Sequence, residues 1–401
     1  MVAAPSLERE QGLDHRGYAL FVFALPLLLS ALLDAALSLL CDWLPRQRLR
    51  AVGLGGLSLS LTLMALAPSL GWLTLGLALA GAASGLSCSA AQGELIASDP
   101  AAGDVALTRW VLFGGIGDLA SPLLVGALLA LGGSYRHALA VVAALFAWQT
   151  LSALRAAHQS LASATAAPAS APTSESESES RSEPEPTSES ESESRSEPEP
   201  ESESEPSFGA ALRAAIGQRR LWLWVLGSAL CTLLDEIVLA FAALRMRLDL
   251  GASDALAASC GVAISLGATL GAMLTERLLA SLPARRLLRD SALSCVLALG
   301  LVVAAPTSAW LMPALFLLGV TAAPHYALLE ARAYAELPGR PGLVRALSQI
   351  AVVFEVLAPA ALGAIARSFG LGAALGCLVL QPLGVLAVLW ATRPGPTGRH
   401  G

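Results

Sequence analysis

Lysine is missing from this 401-residue chain: all 25 of its basic residues are arginine. Nothing in their placement demands a guanidinium, so the lack reads as coding bias. Charge of either sign is scarce, at 14% of residues against 55% apolar. That scarcity excludes an ordinary soluble globule and points to a chain solvated largely by lipid. The six cysteines, at 41, 88, 231, 260, 295 and 377, stand singly, with no CxxC or other ligand spacing. They read as small packing residues, and no metal site is expected. No phosphate-binding loop occurs, which excludes ATP as the driving force. The glycines of Gly114-Gly115-x-Gly117 fall inside an apolar run, outside any nucleotide-binding context. No soluble catalytic set, no cofactor and no nucleic-acid partner are expected. The N-terminus lacks the basic start of a secretory signal. The run after it is too long and carries Asp34, so it reads as a retained span.

What is present divides into two apolar blocks, Gly17–Leu154 and Leu221–Trp390, around a Ser/Glu/Pro stretch. Within that stretch, TSESESESRSEPEP occurs twice in tandem, at 173–186 and 187–200. So little apolar surface cannot offset the entropy of ordering, which predicts a disordered linker. The stretch holds 13 of the 31 acidic residues and two arginines, so the remaining 18 acids and 23 arginines leave a body of +5 behind the net −6 of the whole. The expected organisation is a tail over 1–16, a bundle of five helices over 17–155, a linker over 156–218, a bundle of six over 219–392, and a tail over 393–401.

About 20 residues cross the hydrocarbon core. On that scale the first block holds spans near 17–40, 51–68, 71–96, 105–131 and 135–154. The second holds 220–244, 253–276, 287–305, 309–331, 343–366 and 370–391. Their apolar residues go all round, unlike the single face of a soluble helix. Arginine in short loops stays cytoplasmic. The linker side collects 17 arginines outside the linker and the opposite side six. The linker and C-terminus are therefore expected inside and the N-terminus outside.

The halves repeat one another. Asp118, Pro122 and Gly126 recur as Glu355, Pro359 and Gly363 at the same spacing, 237 residues on. The segments 42–50 and 281–289, both rich in arginine, also correspond. Internal symmetry of this kind marks transporters built from repeats.

With these residues in view, the chain resembles the major facilitator superfamily. Residues 38–50 are similar to that family's cytoplasmic signature G-x-L-x-D-R-x-G-R-R-x-x-L, matching at Asp42 and Arg46, with Leu49 one place short of the final leucine; Arg48 adds a further charge. Ser38, Trp43, Pro45 and Gln47 depart from it. Gly117, Pro122 and Gly126 are similar to its antiporter signature G-x-x-x-G-P-x-x-G-G; Ser121 stands in for a glycine and Val125 departs. The family's arginine in helix four has no counterpart. Its twelve helices would leave one crossing unmatched before Pro45, so either the chain starts upstream of Met1 or the transporter lacks its first helix. The resemblance implies an all-α integral membrane protein, two pseudo-symmetric bundles of five and six helices around a central cavity. It further implies that Asp42, with Arg46 and Arg48, holds the halves together in one state.

An ionised carboxylate at the bilayer centre costs about 2.5–3.5 kcal/mol. Asp118 and Glu355 sit there at repeat-related positions and are expected to take protons or hold a cationic solute. Asp235 and Glu236 are further candidates; adjacent residues point about 100° apart on a helix, so one at most is expected to face the cavity squarely. Asp34 is a candidate that could instead pair with a loop arginine. Glu94 and Glu330 read as structural, near the cytoplasmic surface, and His325 as a packing histidine. No arginine is expected near a bilayer centre. The pairs Gly81/Gly85 and Gly267/Gly271 read as close helix packing.

The expected function is secondary transport of a small solute by alternating access, as a proton-coupled efflux antiporter. The expected partners are the solute, protons and the lipid bilayer. The protein is expected to be a monomer in the cell membrane, a bacterial inner membrane. The alternatives are a proton-coupled uptake permease for a sugar or organic anion, and a truncated membrane protein that does not transport.

Overall fold

A computed structural model describes residues 19–99, 102–166 and 208–393. Nearly all of both expected tails and most of the acidic linker lie outside them. The described residues form helices joined by short turns. In the first half these are α1 (Leu25–Ser38), α2 (Arg46–Leu66), α3 (Leu70–Ser98), α4 (Gly103–Ala130) and α5 (Tyr135–Ala166). A π-helical turn, Ala19–Ala24, precedes α1, and a 3-10 turn, Leu39–Asp42, follows it. Helix α5 continues to Ala166, past the expected boundary at 155, because its alanine-rich end favours helix. The short α6 (Phe208–Gly217) precedes the second half.

The second half comprises α7 (Arg219–Leu230), α8 (Glu236–Leu248), α9 (Asp254–Leu279), α10 (Ala284–Ala304), α11 (Ser308–Glu336), α12 (Pro341–Ser348), α13 (Val352–Phe369), α14 (Leu371–Cys377) and α15 (Leu380–Ala391). Several join end to end into single crossings: α7 with α8, α12 with α13, and α14 with α15. Ten stretches among the described residues are long and apolar enough to span a membrane. Helix α4, of 28 residues and so about 42 Å long, makes an eleventh of spanning length. Leu59, Leu123 and Leu297 are 72%, 74% and 72% exposed on the outside of the bundles; in water such a surface would aggregate, and in lipid it is solvated.

Within each half the helices pack through small residues. A Cβ on Gly267 or Gly271 of α9 would run into the backbone of α11 at Phe316 and Val320. One on Gly81 or Gly85 of α3 would meet Ser30 or Asp34 of α1. Both glycine pairs therefore act as the expected close-packing seams. The apolar core of the second half is the more extensive, centred on Val238, Leu315 and Leu375 in one cluster and on Leu221, Leu329 and Val344 in another.

The halves meet through α4 against α9 and α11, and through α12 against α1 and α3. The polar contacts that join them cluster at the Arg-rich end. Arg332 Nη2 lies 2.6 Å from Asp104 Oδ2, Arg109 Nε lies 2.6 Å from Glu276 Oε1, and the Tyr334 hydroxyl donates to Gln92 Oε1 at 3.0 Å.

Candidate functional site

Between the halves lies a cavity of about 790 Å³. Its first wall is α1, α3 and α4, which bring Asp34, Cys88 and Asp118 to it. The opposite wall is built from interrupted helices. The crossing of α7 and α8 passes through a 3-10 turn, Cys231–Leu234, and then leaves helical geometry at Asp235, with φ −98° and ψ −87°. The crossing of α12 and α13 passes through a second 3-10 turn, Gln349–Ala351. A broken helix frees backbone groups, and these are tolerated at membrane depth only where protein or cavity water satisfies them. Here a side chain does so: Gln381 Oε1, buried on α15, accepts the Leu234 N–H at 2.9 Å. The other end of that amide approaches His325 Nδ1 at 3.3 Å. His325 is fully buried and is not among the cavity-lining residues. Its Nε2 has no partner among the described residues.

The break explains one departure from expectation. Asp235 and Glu236 both line the cavity. The 100° rule presupposed a continuous helix, and Asp235 is not helical. Asp118 and Glu355 also line it, as expected, from α4 and α13, and the Thr232 hydroxyl reaches Glu355 Oε1 at 3.5 Å. Pro359 lines the cavity one helical turn beyond Glu355.

The floor departs further. Asp34 is buried on α1 and accepts from the Ser38 hydroxyl at 2.9 Å and from the Gln349 amide. Arg345 Nη2 lies 3.4 Å from its Oδ2. An arginine near the cytoplasmic end of an expected span therefore reaches the cavity floor. Arg345 occupies the second turn of α12, whose crossing starts at Pro341, so its position in a loop-like sequence hid a cavity-facing place. Glu330 is also corrected. It is 2% exposed and lines the cavity, accepting from the Ser228 hydroxyl at 3.0 Å. Glu330 Oε1 and Arg345 Nε are buried without partners among the described residues. Arg332, two residues further along α11, pairs with Asp104 and not with Glu330. Glu94 remains structural, 2.6 Å from Arg50 Nη1.

Below the floor, Asp42 accepts from two backbone amides at the start of α12, Gly342 N–H at 2.8 Å and Leu343 N–H at 2.9 Å. The first-turn amides of a helix are unsatisfied within it and attract anions. Gly342 is needed there: a Cβ would collide with the Ser38 carbonyl. Arg46 donates to the Gly93 carbonyl at 3.0 Å and to the Gly339 carbonyl at 3.4 Å. Gly339 has φ +83°, a conformation other residues resist. The expected motif thus joins the halves through Asp42 and Arg46. The Arg48 side chain does not take part; it is exposed and makes no polar contact among the described residues. A Cβ on Gly117 or Gly363 would meet nothing within 4 Å. They are not close-packing positions in this state. Pro122 and Gly126 lie within α4.

A cavity between two bundles, closed at the Arg-rich end by a carboxylate on a helix start, is the arrangement of an alternating-access carrier. The model of the Major Facilitator Superfamily matches residues 1–354. The chain belongs to the Major Facilitator Superfamily. It is therefore a multi-pass membrane transporter and not an enzyme. No curated protein matches its sequence. Among solved structures it is similar to FucP, a transporter of this superfamily crystallised in the outward conformation, with a TM-score of 0.73 and 14% identity over 98% of this chain and 94% of that one. It is also similar to a variant of the Escherichia coli fucose:proton symporter FucP, with a TM-score of 0.70 and 13% identity over 94% of this chain and 91% of that one. At such identities the likeness concerns the fold.

Proposed function

We propose that this superfamily member is a proton-coupled antiporter that exports a small cationic solute from the cell. The observation that carries the reading is the charge of the cavity. Six carboxylates line it (Asp34, Asp118, Asp235, Glu236, Glu330 and Glu355) against the single guanidinium of Arg345, which Asp34 already engages. Like charges confined at low dielectric repel strongly, and protons or a bound cation relieve that repulsion. When the same carboxylates serve both, the two compete, and competition for one site gives exchange rather than co-transport. The inward proton gradient then drives the cation outward. The arginine bias supports placing the closed end at the cytoplasm, so the described state faces outward.

Proteoliposomes loaded at acidic pH test this reading. Adding an organic cation outside should make the lumen more alkaline as protons leave in exchange. Asp118→Asn and Glu355→Gln should each abolish that response while insertion stays intact; an unchanged response in both variants would remove the carboxylates from the mechanism. The second reading is symport of a neutral solute. It is favoured by the fold shared with a fucose:proton symporter and by the amides of Gln349 and Gln381 in the cavity wall. Symport predicts the opposite sign, acidification of the lumen on adding a neutral sugar.

A further inference from the structure

A second cavity, of about 250 Å³, lies at the Arg-rich end within the second half, between α7, α10, α11 and α15. It shares no lining residue with the cavity between the halves. Three guanidiniums line it, from Arg220, Arg285 and Arg332, and Glu336 is its one carboxylate. Arg393 adds a fourth guanidinium within electrostatic range of Arg285.

Local partners account for part of this charge. Arg285 donates to the Thr392 carbonyl at 3.2 Å and to that of Leu389, and Arg220 donates to the Thr392 carbonyl at 3.3 Å. Cations suit these carbonyls, because a helix C-terminus is partially negative. Arg332 pairs with Asp104, and Arg220 Nε lies 3.7 Å from Glu336 Oε1. Glu336 is shared, since Trp224 Nε1 donates to the same oxygen at 3.1 Å. The tally is four guanidiniums against two carboxylates, around an open volume. Neutral carbonyls orient an arginine but do not cancel its charge. The remaining walls are apolar, including Leu288, Leu328 and Leu389.

We propose that this cavity binds a phosphate-bearing anion, supplied by a phospholipid headgroup or as free phosphate. Guanidinium presents paired donors that match phosphate oxygens, and basic pockets between transmembrane helices on the cytoplasmic side suit anionic headgroups. Its place at a membrane surface, beside the 69% exposed Trp390, suits an interfacial ligand, because exposed tryptophan marks the headgroup level.

The test uses the full chain purified in neutral detergent and follows its melting midpoint. Three additions are compared: phosphatidylglycerol, phosphatidylcholine and inorganic phosphate. Phosphatidylglycerol or phosphate should raise the midpoint and phosphatidylcholine should not. Protection by phosphatidylglycerol alone assigns the lipid as the source; equal protection by phosphate assigns the free ion. Removing one guanidinium should raise the half-protecting concentration about fivefold, and removing two about 25-fold. The variants are Arg220→Gln, Arg285→Gln and their combination; Arg220→Gln alone suffices if loss of the helix-end contacts of Arg285 prevents folding. Arg155→Gln, which changes an exposed arginine elsewhere at the same end, should have no effect. Equal protection by phosphatidylcholine, or an Arg155→Gln effect as large as that of Arg220→Gln, would overturn the site in favour of diffuse surface charge.

Discussion

Asp42→Asn isolates what the carboxylate contributes to closing the Arg-rich end. The side chain keeps its shape, but its second oxygen becomes an NH2 group that faces a backbone N–H. The closed state then loses one charge-assisted hydrogen bond, worth about 1.5–3 kcal/mol. It also loses the attraction of a full charge for a helix start, about 0.3–1 kcal/mol. When the halves separate at this end, both amides and the side chain gain water, so the loss falls on the closed state alone. The sum is about 2–4 kcal/mol, which lowers the ratio of outward to inward populations by roughly 30-fold to several hundredfold. Arg46 still holds the Gly93 and Gly339 carbonyls, so the lower figure is the better expectation. Cys88 lines the main cavity and provides a native probe. With the other five cysteines replaced by serine or alanine, a membrane-impermeant maleimide added outside should label Cys88 readily. Asp42→Asn should slow that labelling in proportion to the fall in the outward-facing fraction, by that ratio at most. Equal rates in the two proteins would refute the reasoning.

Gly267→Ala should cost about 1–3 kcal/mol of stability by overpacking α9 against α11, visible as a lower melting midpoint. Gly300→Ala, whose Cβ meets nothing within 4 Å, should leave that midpoint in place. Arg345→Gln strands the buried charge of Asp34 and should cost about 3 kcal/mol; adding Asp34→Asn should restore part of the loss, and a strictly additive double variant would show that the two do not interact. Gln381→Leu leaves the Leu234 N–H unpaired at the helix break, a loss of about 1–3 kcal/mol, so a midpoint equal to that of the unsubstituted protein would show that another group satisfies the break.

Much of the architecture was legible because lipid imposes a simple rule on sequence. Each crossing must be apolar all round, so the crossings showed as apolar runs, with ends set by Pro45, Pro283 and Pro341. Asp118 and Glu355, paired by the repeat, both line the cavity, from opposite halves. What stayed hidden depended on where helices break. A periodicity argument treats residues 220–244 as one helix and so cannot place Asp235 and Glu236 together. Glu330 reads as a surface residue from its distance along the chain, and Arg345, at the start of the expected span 343–366, counts only toward the arginine bias, yet α12 starts early enough to carry Arg345 into the floor. Arg48 shows the converse: a charge beside the motif that the sequence suggests as part of the latch, with a side chain that makes no polar contact among the described residues.

The floor of the cavity ties closure of the carrier to its charge. Opening the Arg-rich end must draw α12 away from α1. Asp42 then gives up two amides, which water at the surface replaces. Asp34 gives up Arg345 and Gln349 at a depth where water is scarcer, and an uncompensated buried charge there costs several kcal/mol. The two ions are not placed alike. Arg345 moves with the second half and has Glu330 there, with an oxygen that lacks a partner in the present state. Asp34 stays with the first half, where Ser38 is its remaining hydrogen-bond donor. The least costly way to complete the movement is for Asp34 to acquire a positive charge, as a proton or as part of a cationic solute. On the proposed proton/cation exchange, an ion pair across the floor holds an empty, unprotonated carrier shut at this end, and release requires a proton or the cationic solute.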